Sequence, residues 1–148
     1  MTVQVRDLQV ADRAAWDQLY QGYATFYGVA QTAQMRATVW GWLHDPACDV
    51  DGLAAADATG RLIGLAHFRA FRRPLSASIG GYLDDLFVAP DARGSGAAQA
   101  LIAAVSAQGR AKGWSVIRWI TAADNARARK VYDEAAQATP WVTYDIKL

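Results

Sequence analysis

Residues 86–101 read LFVAPDARGSGAAQAL, and no other stretch narrows the possible folds as much. An apolar run, Leu86-Phe87-Val88, ends at Ala89-Pro90. A turn follows, then Arg93-Gly94-Ser95-Gly96-Ala97-Ala98-Gln99, then an Ala-rich helical pattern. Strand, glycine loop and helix N-terminus therefore form one continuous piece. Glycines let successive backbone N–H groups turn toward one anion without Cβ clashes. The helix adds its unpaired N–H groups and the positive end of its dipole. Such a piece can cradle a pyrophosphate; an ordinary Gly-rich strand-to-helix turn is the plainer alternative. Two nucleotide patterns are excluded. No Gly-Lys-Ser/Thr follows, so the loop is not a P-loop. Ala98 and Gln99 break G-x-G-x-x-G, and the loop lies past the middle of the chain, not at a first βα turn.

A length of 148 residues favours a single domain over 1–148, with enough chain to bury a core unaided. Hydrophobic content of 53% against 20% charged residues describes a globular chain, not a disordered one. A net charge of +1 gives no general case for binding nucleic acid or a membrane surface. No run approaches the roughly 20 apolar residues of a membrane span, and the N-terminus lacks an apolar signal core. With one cysteine, Cys48, no intrachain disulfide is possible, and a reducing cytoplasm is the expected compartment. No metal site is expected. Cys48 follows His44-Asp45, but no nucleophile pattern surrounds it.

Taken in order, residues 2–6 alternate as a first strand. Trp16, Leu19, Tyr20, Tyr23 and Phe26/Tyr27 fall at helical spacing after Ala11-Asp12, and Gly28 ends that helix. A second helix over 31–44 carries Met35, Val39, Trp40, Trp42 and Leu43. These aromatics read as core before they read as a binding platform. Strands over 49–56 and 61–71 flank a turn at Asp57-Ala-Thr-Gly60. A strand over 79–88, a helix over 96–112, a strand over 114–121, a helix from Asn125 to Ala138 and a last strand over 141–148 complete the pattern. Gly109 lies inside a helix without an evident reason. Antiparallel strands first and alternating strands and helices afterwards give an α/β fold: a mixed, mostly antiparallel sheet with helices on both faces.

Two motifs together resemble a family. Arg93-x-x-Gly96-x-Ala98 resembles the acetyl-CoA motif R/Q-x-x-G-x-G/A of the GNAT N-acetyltransferase superfamily, and Asn125-x-x-Ala128-x-x-x-Tyr132 resembles its N-x-x-A-x-x-x-Y segment. The resemblance runs from about Gly64 to the C-terminus. Gly81-Tyr-Leu-Asp-Asp-Leu-Phe-Val88 is similar to the Y-L-E-D-x-x-V strand of the polyamine-acetylating branch. Ala66-His67-Phe68 and the ending Tyr144-Asp-Ile-Lys-Leu148 are similar to a branch described as acetylating histones and polyamines.

The resemblance implies direct transfer of an acetyl group from acetyl-CoA to a primary amine. It assigns the cofactor's pyrophosphate to the backbone of Arg93, Gly94, Ser95, Gly96, Ala97, Ala98 and Gln99, and its pantetheine arm to the edge of Leu86, Phe87 and Val88, beside a bulge in that strand. Asn125 bonds backbone or pantetheine and caps its helix. Tyr132 matches the general acid, since a phenol is protonated at neutral pH and can donate to a departing thiolate; the plainer reading is a Tyr packed on the sheet. Asp84 and Asp85 are candidates for the group that takes the amine's proton. Adjacent strand residues point to opposite faces, so only one faces a cleft unless the strand bulges there. His67 reads as a structural histidine before a base. Arg127, Arg129 and Lys130 are candidates for a 3′-phosphate.

Asp49, Asp51, Asp84 and Asp85 favour a small cationic acceptor such as a polyamine, while Arg69, Arg72 and Arg73 leave an amino acid or a protein lysine open. A non-catalytic acyl-CoA-binding module and a purely structural dimerisation domain are the readings from other classes. The family's fold ordinarily supplies a hairpin partner for the last strand, and here residue 148 ends the sequence. The expectation is a homodimer in which a second subunit covers that edge, by exchange of the C-terminal strand.

Overall fold

The structure, a computed structural model, describes residues 2–148. Five strands form one sheet in sequence order: β1 (Gln4–Asp7), β2 (Val50–Ala56), β3 (Leu62–Arg73), β4 (Ser78–Val88) and β5 (Ile117–Arg118). The first four pair antiparallel, and β5 joins β4 in parallel. Helices α1 (Arg13–Phe26) and α2 (Ala33–Leu43) cover one face. Helix α3 (Ala97–Lys112) covers the other, and α4 (Ala126–Ala135) lies against α3. This is the mixed, mostly antiparallel sheet with helices on both faces that the sequence pattern predicts.

Local chemistry sets the turns. Asp12 holds the entry to α1, taking both guanidinium nitrogens of Arg6 at 2.7 and 2.9 Å and the Gln9 N–H at 2.8 Å. Thr32 caps α2 through the Met35 N–H. In the β2–β3 turn the Asp57 carboxylate accepts from the Thr59 and Arg61 amides, and Gly60 takes the left-handed conformation. The core sits where α1 and α3 sandwich β3: Trp16, Leu65, Phe68, Leu101 and Val105 are all fully buried. Gly109 gains its reason here. A Cβ there would meet Ile117 at 2.9 Å and Trp114 at 3.1 Å, so α3 can lie on β5 only without a side chain.

Two features differ from the sequence expectation. The strand expected over 114–121 shrinks to Ile117–Arg118, paired with Gly81 and Tyr82. Beyond Tyr82 the register shifts. His67 faces Asp85 and Phe68 faces Leu83, which leaves Asp84 as the extra residue of a bulge, and β4 parts from β5 there. The expected last strand also forms no ladder in this chain. Residues 137–148 carry no helix or strand, and Trp141, Val142, Tyr144, Ile146 and Leu148 are exposed. Alternation makes a segment competent to pair, but pairing needs a neighbouring strand, and none of β1–β5 takes this one. Among the described residues no helix is long and apolar enough to cross a membrane.

Candidate active site

The glycine loop has the backbone geometry of an anion cradle. Gly94 and Gly96 both take positive φ, +81° and +86°, a region that costs an L side chain about 1–2 kcal/mol. Gly96 is also the residue at which α3 begins. The Ala97 amide turns to Ser95 Oγ at 3.3 Å, while the amides of Gly94, Gly96, Ala98 and Gln99 find no protein partner among the described residues. A Cβ at Gly94 or Gly96 would meet nothing within 4 Å, so the space above the loop is open. Uncommitted N–H groups at a helix N-terminus fit a diphosphate. Arg93 lays its guanidinium 4.7 Å from the centre of the Phe26 ring at the rim.

The cleft continues from the loop along β4. Because β5 leaves at Tyr82, the edge of Leu86, Phe87 and Val88 carries no strand on that side. These three residues, the whole loop from Arg93 to Gln99, Asn125 and Tyr132 line one cleft. An open strand edge offers main-chain hydrogen bonds to an extended ligand. Across from it, Asn125 caps α4 by accepting the Ala128 N–H at 3.3 Å. Seven residues on, Tyr132 stands edge-on to Trp119. Burial pushes its phenol up to about 12, and among the described residues its hydroxyl bonds to no protein group. It is therefore a proton donor throughout the neutral range, and it lines the cleft together with Tyr27.

The two aspartates take separate environments. Asp84, at the bulge, accepts from Arg69 Nε at 3.0 Å and is about one-third exposed. Burial raises its carboxyl above the ordinary range, and the Arg69 guanidinium opposes that rise. Asp85 points inward under α1. Its Oδ2 receives the Tyr20 hydroxyl at 2.8 Å and stands 2.8 Å from His67 Nδ1. Tyr20 and Tyr23 are both shifted upward, chiefly by burial and then by the Asp85 charge. The acidic group expected to gather at the cleft is dispersed: Asp51 pairs with Lys112 of α3 at 3.0 Å, and neither Asp84 nor Asp85 lines the cofactor-shaped cleft itself.

Further residues line the cleft, of which only Val131 was not singled out in the sequence. Phe26 and Tyr27, at the end of α1, form part of the wall, as do Ala128 and Val131 of α4. The α4 pair was readable, since Asn125, Ala128, Val131 and Tyr132 fall on one helical face. Phe26 and Tyr27 continue the aromatic stripe that helical spacing marks along α1, but unlike its earlier members they are exposed. Arg127 reaches the cleft, while Arg129 turns back to the Ala123 carbonyl at 2.7 Å.

Comparison with known proteins agrees with this geometry. The sequence profile described as "Acetyltransferase (GNAT) family" matches residues 16–136. The D-amino-acid N-acetyltransferase HPA3 of Saccharomyces cerevisiae is 28% identical over 141 residues, covering 95% of this chain and 88% of that protein. A ribosomal-protein-alanine N-acetyltransferase from Brucella melitensis biovar Abortus 2308 superposes with a TM-score of 0.81 at 24% identity, over 100% of both chains. AAC(6')-Iy, solved with the bisubstrate analogue CoA-S-monomethyl-acetylneamine, superposes with a TM-score of 0.81 at 22% identity, over 100% of this chain and 99% of that one. The profile match over most of the chain makes this protein a member of the GNAT acetyltransferase family, an acetyl-CoA-dependent N-acetyltransferase.

Proposed function

We propose that this enzyme acetylates a small acceptor that carries a carboxylate beside its amine, an amino acid being the simplest case. The observation that carries this is the pairing of Arg69 with Asp84 through Nε alone, which leaves both terminal guanidinium nitrogens uncommitted next to an acidic group. Arg69 also lies 5.1 Å from the Tyr82 ring centre, and Arg118 lies 5.4 Å from that of Phe71, so two cations rest on aromatic rings of the same sheet region. A polyamine would meet these cations, and two of the carboxylates that it could use, Asp84 and Asp51, are already paired with Arg69 and Lys112. The name of the yeast relative, which specifies D-amino acids, supports the same direction.

Within this reading, the amides of Gly94, Gly96, Ala98 and Gln99 hold the pyrophosphate of acetyl-CoA, and Arg93 and Arg127 add positive charge around it. Leu86 to Val88 align the extended arm, and an N–H near Phe87 or Val88 polarises the thioester carbonyl. Acetyl-CoA supplies the activated acetyl group. Tyr132 donates its hydroxyl proton where the sulfur gains charge. Asp85 attracts the acceptor's ammonium and takes its proton; Asp84 and Arg69 hold the rest of the acceptor.

The C-terminal segment completes the proposal. Val142, Tyr144, Ile146 and Leu148 stand at alternate positions of an exposed segment without helix or strand, and β5 is an edge strand of the sheet. An arm of this kind pairs with the β5 edge of a second copy, giving a homodimer. Light scattering at micromolar concentration should return a dimer mass that falls to a monomer when residues 141–148 are removed; a monomer at full length refutes the pairing. A single half-buried cysteine, Cys48, accords with a reducing, cytoplasmic setting.

The acceptor is tested by acetyl-CoA consumption against D- and L-amino acids, polyamines, aminoglycosides and a lysine peptide. Turnover with amino acids, with the acceptor KM raised in Arg69→Gln and that of acetyl-CoA unchanged, supports the assignment. Turnover with polyamines alone overturns it. Tight CoA binding without turnover of any amine would leave a binding module in its place.

A further inference from the structure

Trp16 and His67 are buried to 0% and 2% exposure, and neither lines the cofactor cleft. They are nonetheless joined to the site. The Trp16 indole Nε1–H donates to His67 Nε2 at 2.9 Å, and His67 Nδ1 stands 2.8 Å from Asp85 Oδ2. An indole N–H can only donate. His67 Nε2 must therefore present a lone pair, and the ring's proton sits on Nδ1, where it donates to the carboxylate. A proton on Nε2 would confront the indole N–H at 2.9 Å in a site without water access. Both ring nitrogens are committed, so His67 has neither a free lone pair nor a route to one, and it cannot act as the base.

Tyr20 donates to the same Asp85 oxygen at 2.8 Å. Two donors thus converge on Oδ2, the Tyr23 hydroxyl also approaches this carboxylate, and among the described residues none of the hydrogen bonds formed within 3.5 Å ends on Oδ1. Free rotation of a carboxylate would interchange its oxygens, and this arrangement prevents it. Trp16 and Tyr20 come from α1 and His67 from β3, and all three are buried in the core between them. The aromatic rings reinforce the geometry: Trp16 and Tyr20 lie 5.8 and 4.8 Å from the His67 ring.

We propose that Trp16 and His67 are positioning residues of the acetyl-transfer site: the indole fixes the tautomer of His67, His67 and Tyr20 pin Asp85 Oδ2, and Oδ1 is thereby reserved for the acceptor's ammonium. The role in catalysis rests on the reading of the site given above; the tautomer does not. A histidine buried only for packing would need no particular tautomer and would tolerate an apolar replacement of similar volume.

Two experiments separate these. Nitrogen-15 NMR of the ligand-free protein should give His67 an unprotonated Nε2 and a protonated Nδ1; a protonated Nε2 overturns the proposal whatever the enzyme's substrate. Kinetics then compares His67→Leu, which removes the donor, with His67→Asn, whose amide N–H stands near the place of Nδ1. His67→Leu should lower acceptor kcat/KM about 100-fold, the scale of a reacting group displaced by roughly an ångström. His67→Asn should recover most of that loss, and Trp16→Phe should fall between the two. Calorimetric binding of CoA should be the same in all four proteins. Equal kinetics in every variant, or no recovery in a folded His67→Asn, defeats the positioning role while leaving the acetyltransferase intact. Absence of turnover in the unsubstituted enzyme defeats that reading and the positioning role with it, and the tautomer is still decided by NMR.

Discussion

His67 and Asp85 face each other across β3 and β4 at the last register position before the bulge, and the 2.8 Å contact between them joins the two strands beneath α1. At the bulge the two neighbouring carboxylates take different partners, Asp84 going to Arg69 and Asp85 to His67 and Tyr20 beneath α1. Asp85→Asn removes the charge while its amide oxygen can still accept from His67 and Tyr20. It should cost about 1 kcal/mol of stability and about 100-fold or more in kcat. Asp84→Asn breaks only a partly exposed pair, worth about 0–1 kcal/mol, and should act on acceptor KM more than on kcat. Denaturant titration and steady-state kinetics on the two variants check the order; a larger kcat loss in Asp84→Asn reverses the assignment.

Tyr132→Phe should reduce kcat at least tenfold, the lower range for loss of a general acid, with the KM of acetyl-CoA little changed. Because burial raises this phenol to about 12, kcat/KM should show no falling limb from Tyr132 between pH 7 and 10. A limb near pH 9 that vanishes in the Phe variant would contradict this.

Stability should fall at alkaline pH. Tyr20, Tyr23 and Tyr132 all have folded-state values raised above the unfolded value of about 10. Above that pH the unfolded chain loses these protons first, so it binds fewer than the native state, and stability decreases as pH rises. Their contribution is complete below about pH 10 and is withdrawn as pH climbs toward 12 and beyond. Melting temperature should be level from pH 8 to 9.5 and drop steeply above 10. A flat profile to pH 11 would show that the phenols titrate normally.

Gly96→Ala should separate binding from folding. The positive φ of +86° costs about 1–2 kcal/mol for alanine, yet the new methyl meets no protein atom. CoA affinity should fall by more than the melting temperature implies, because the methyl occupies space above the loop. Gly81→Ala should do the reverse, since its Cβ would collide with Trp114 and come within 2.8 Å of Ile117. Unfolding, not affinity, is the expected readout there.

What the sequence made legible was local. The glycine loop, the Asn125 cap and the Asp57–Gly60 turn are written in neighbouring residues, and each stands where its spacing predicts. The link from Trp16 to His67 spans 51 positions and that from His67 to Asp85 spans 18, so no periodicity could announce them. The same limit explains the strand expected over 114–121. Its β-branched and aromatic residues favour extension, but its length is set by how far β4 stays alongside, and the Asp84 bulge ends that at Tyr82. Alternation at 141–148 likewise records what the segment can pair with, not where the partner is.

The parting of β4 from β5 cuts a slot into one end of the sheet. A slot keeps its width only if its closed end is wedged, and here the wedge is Trp114 seated over Gly81 with Ile117 beside it. None of these residues lines the cleft. The gauge of the opening into which the cosubstrate must slide is therefore set by packing at the far end of the notch. Trimming or enlarging the Trp114 or Ile117 side chain would retune that opening as a shim retunes a jaw, without altering any atom along its walls.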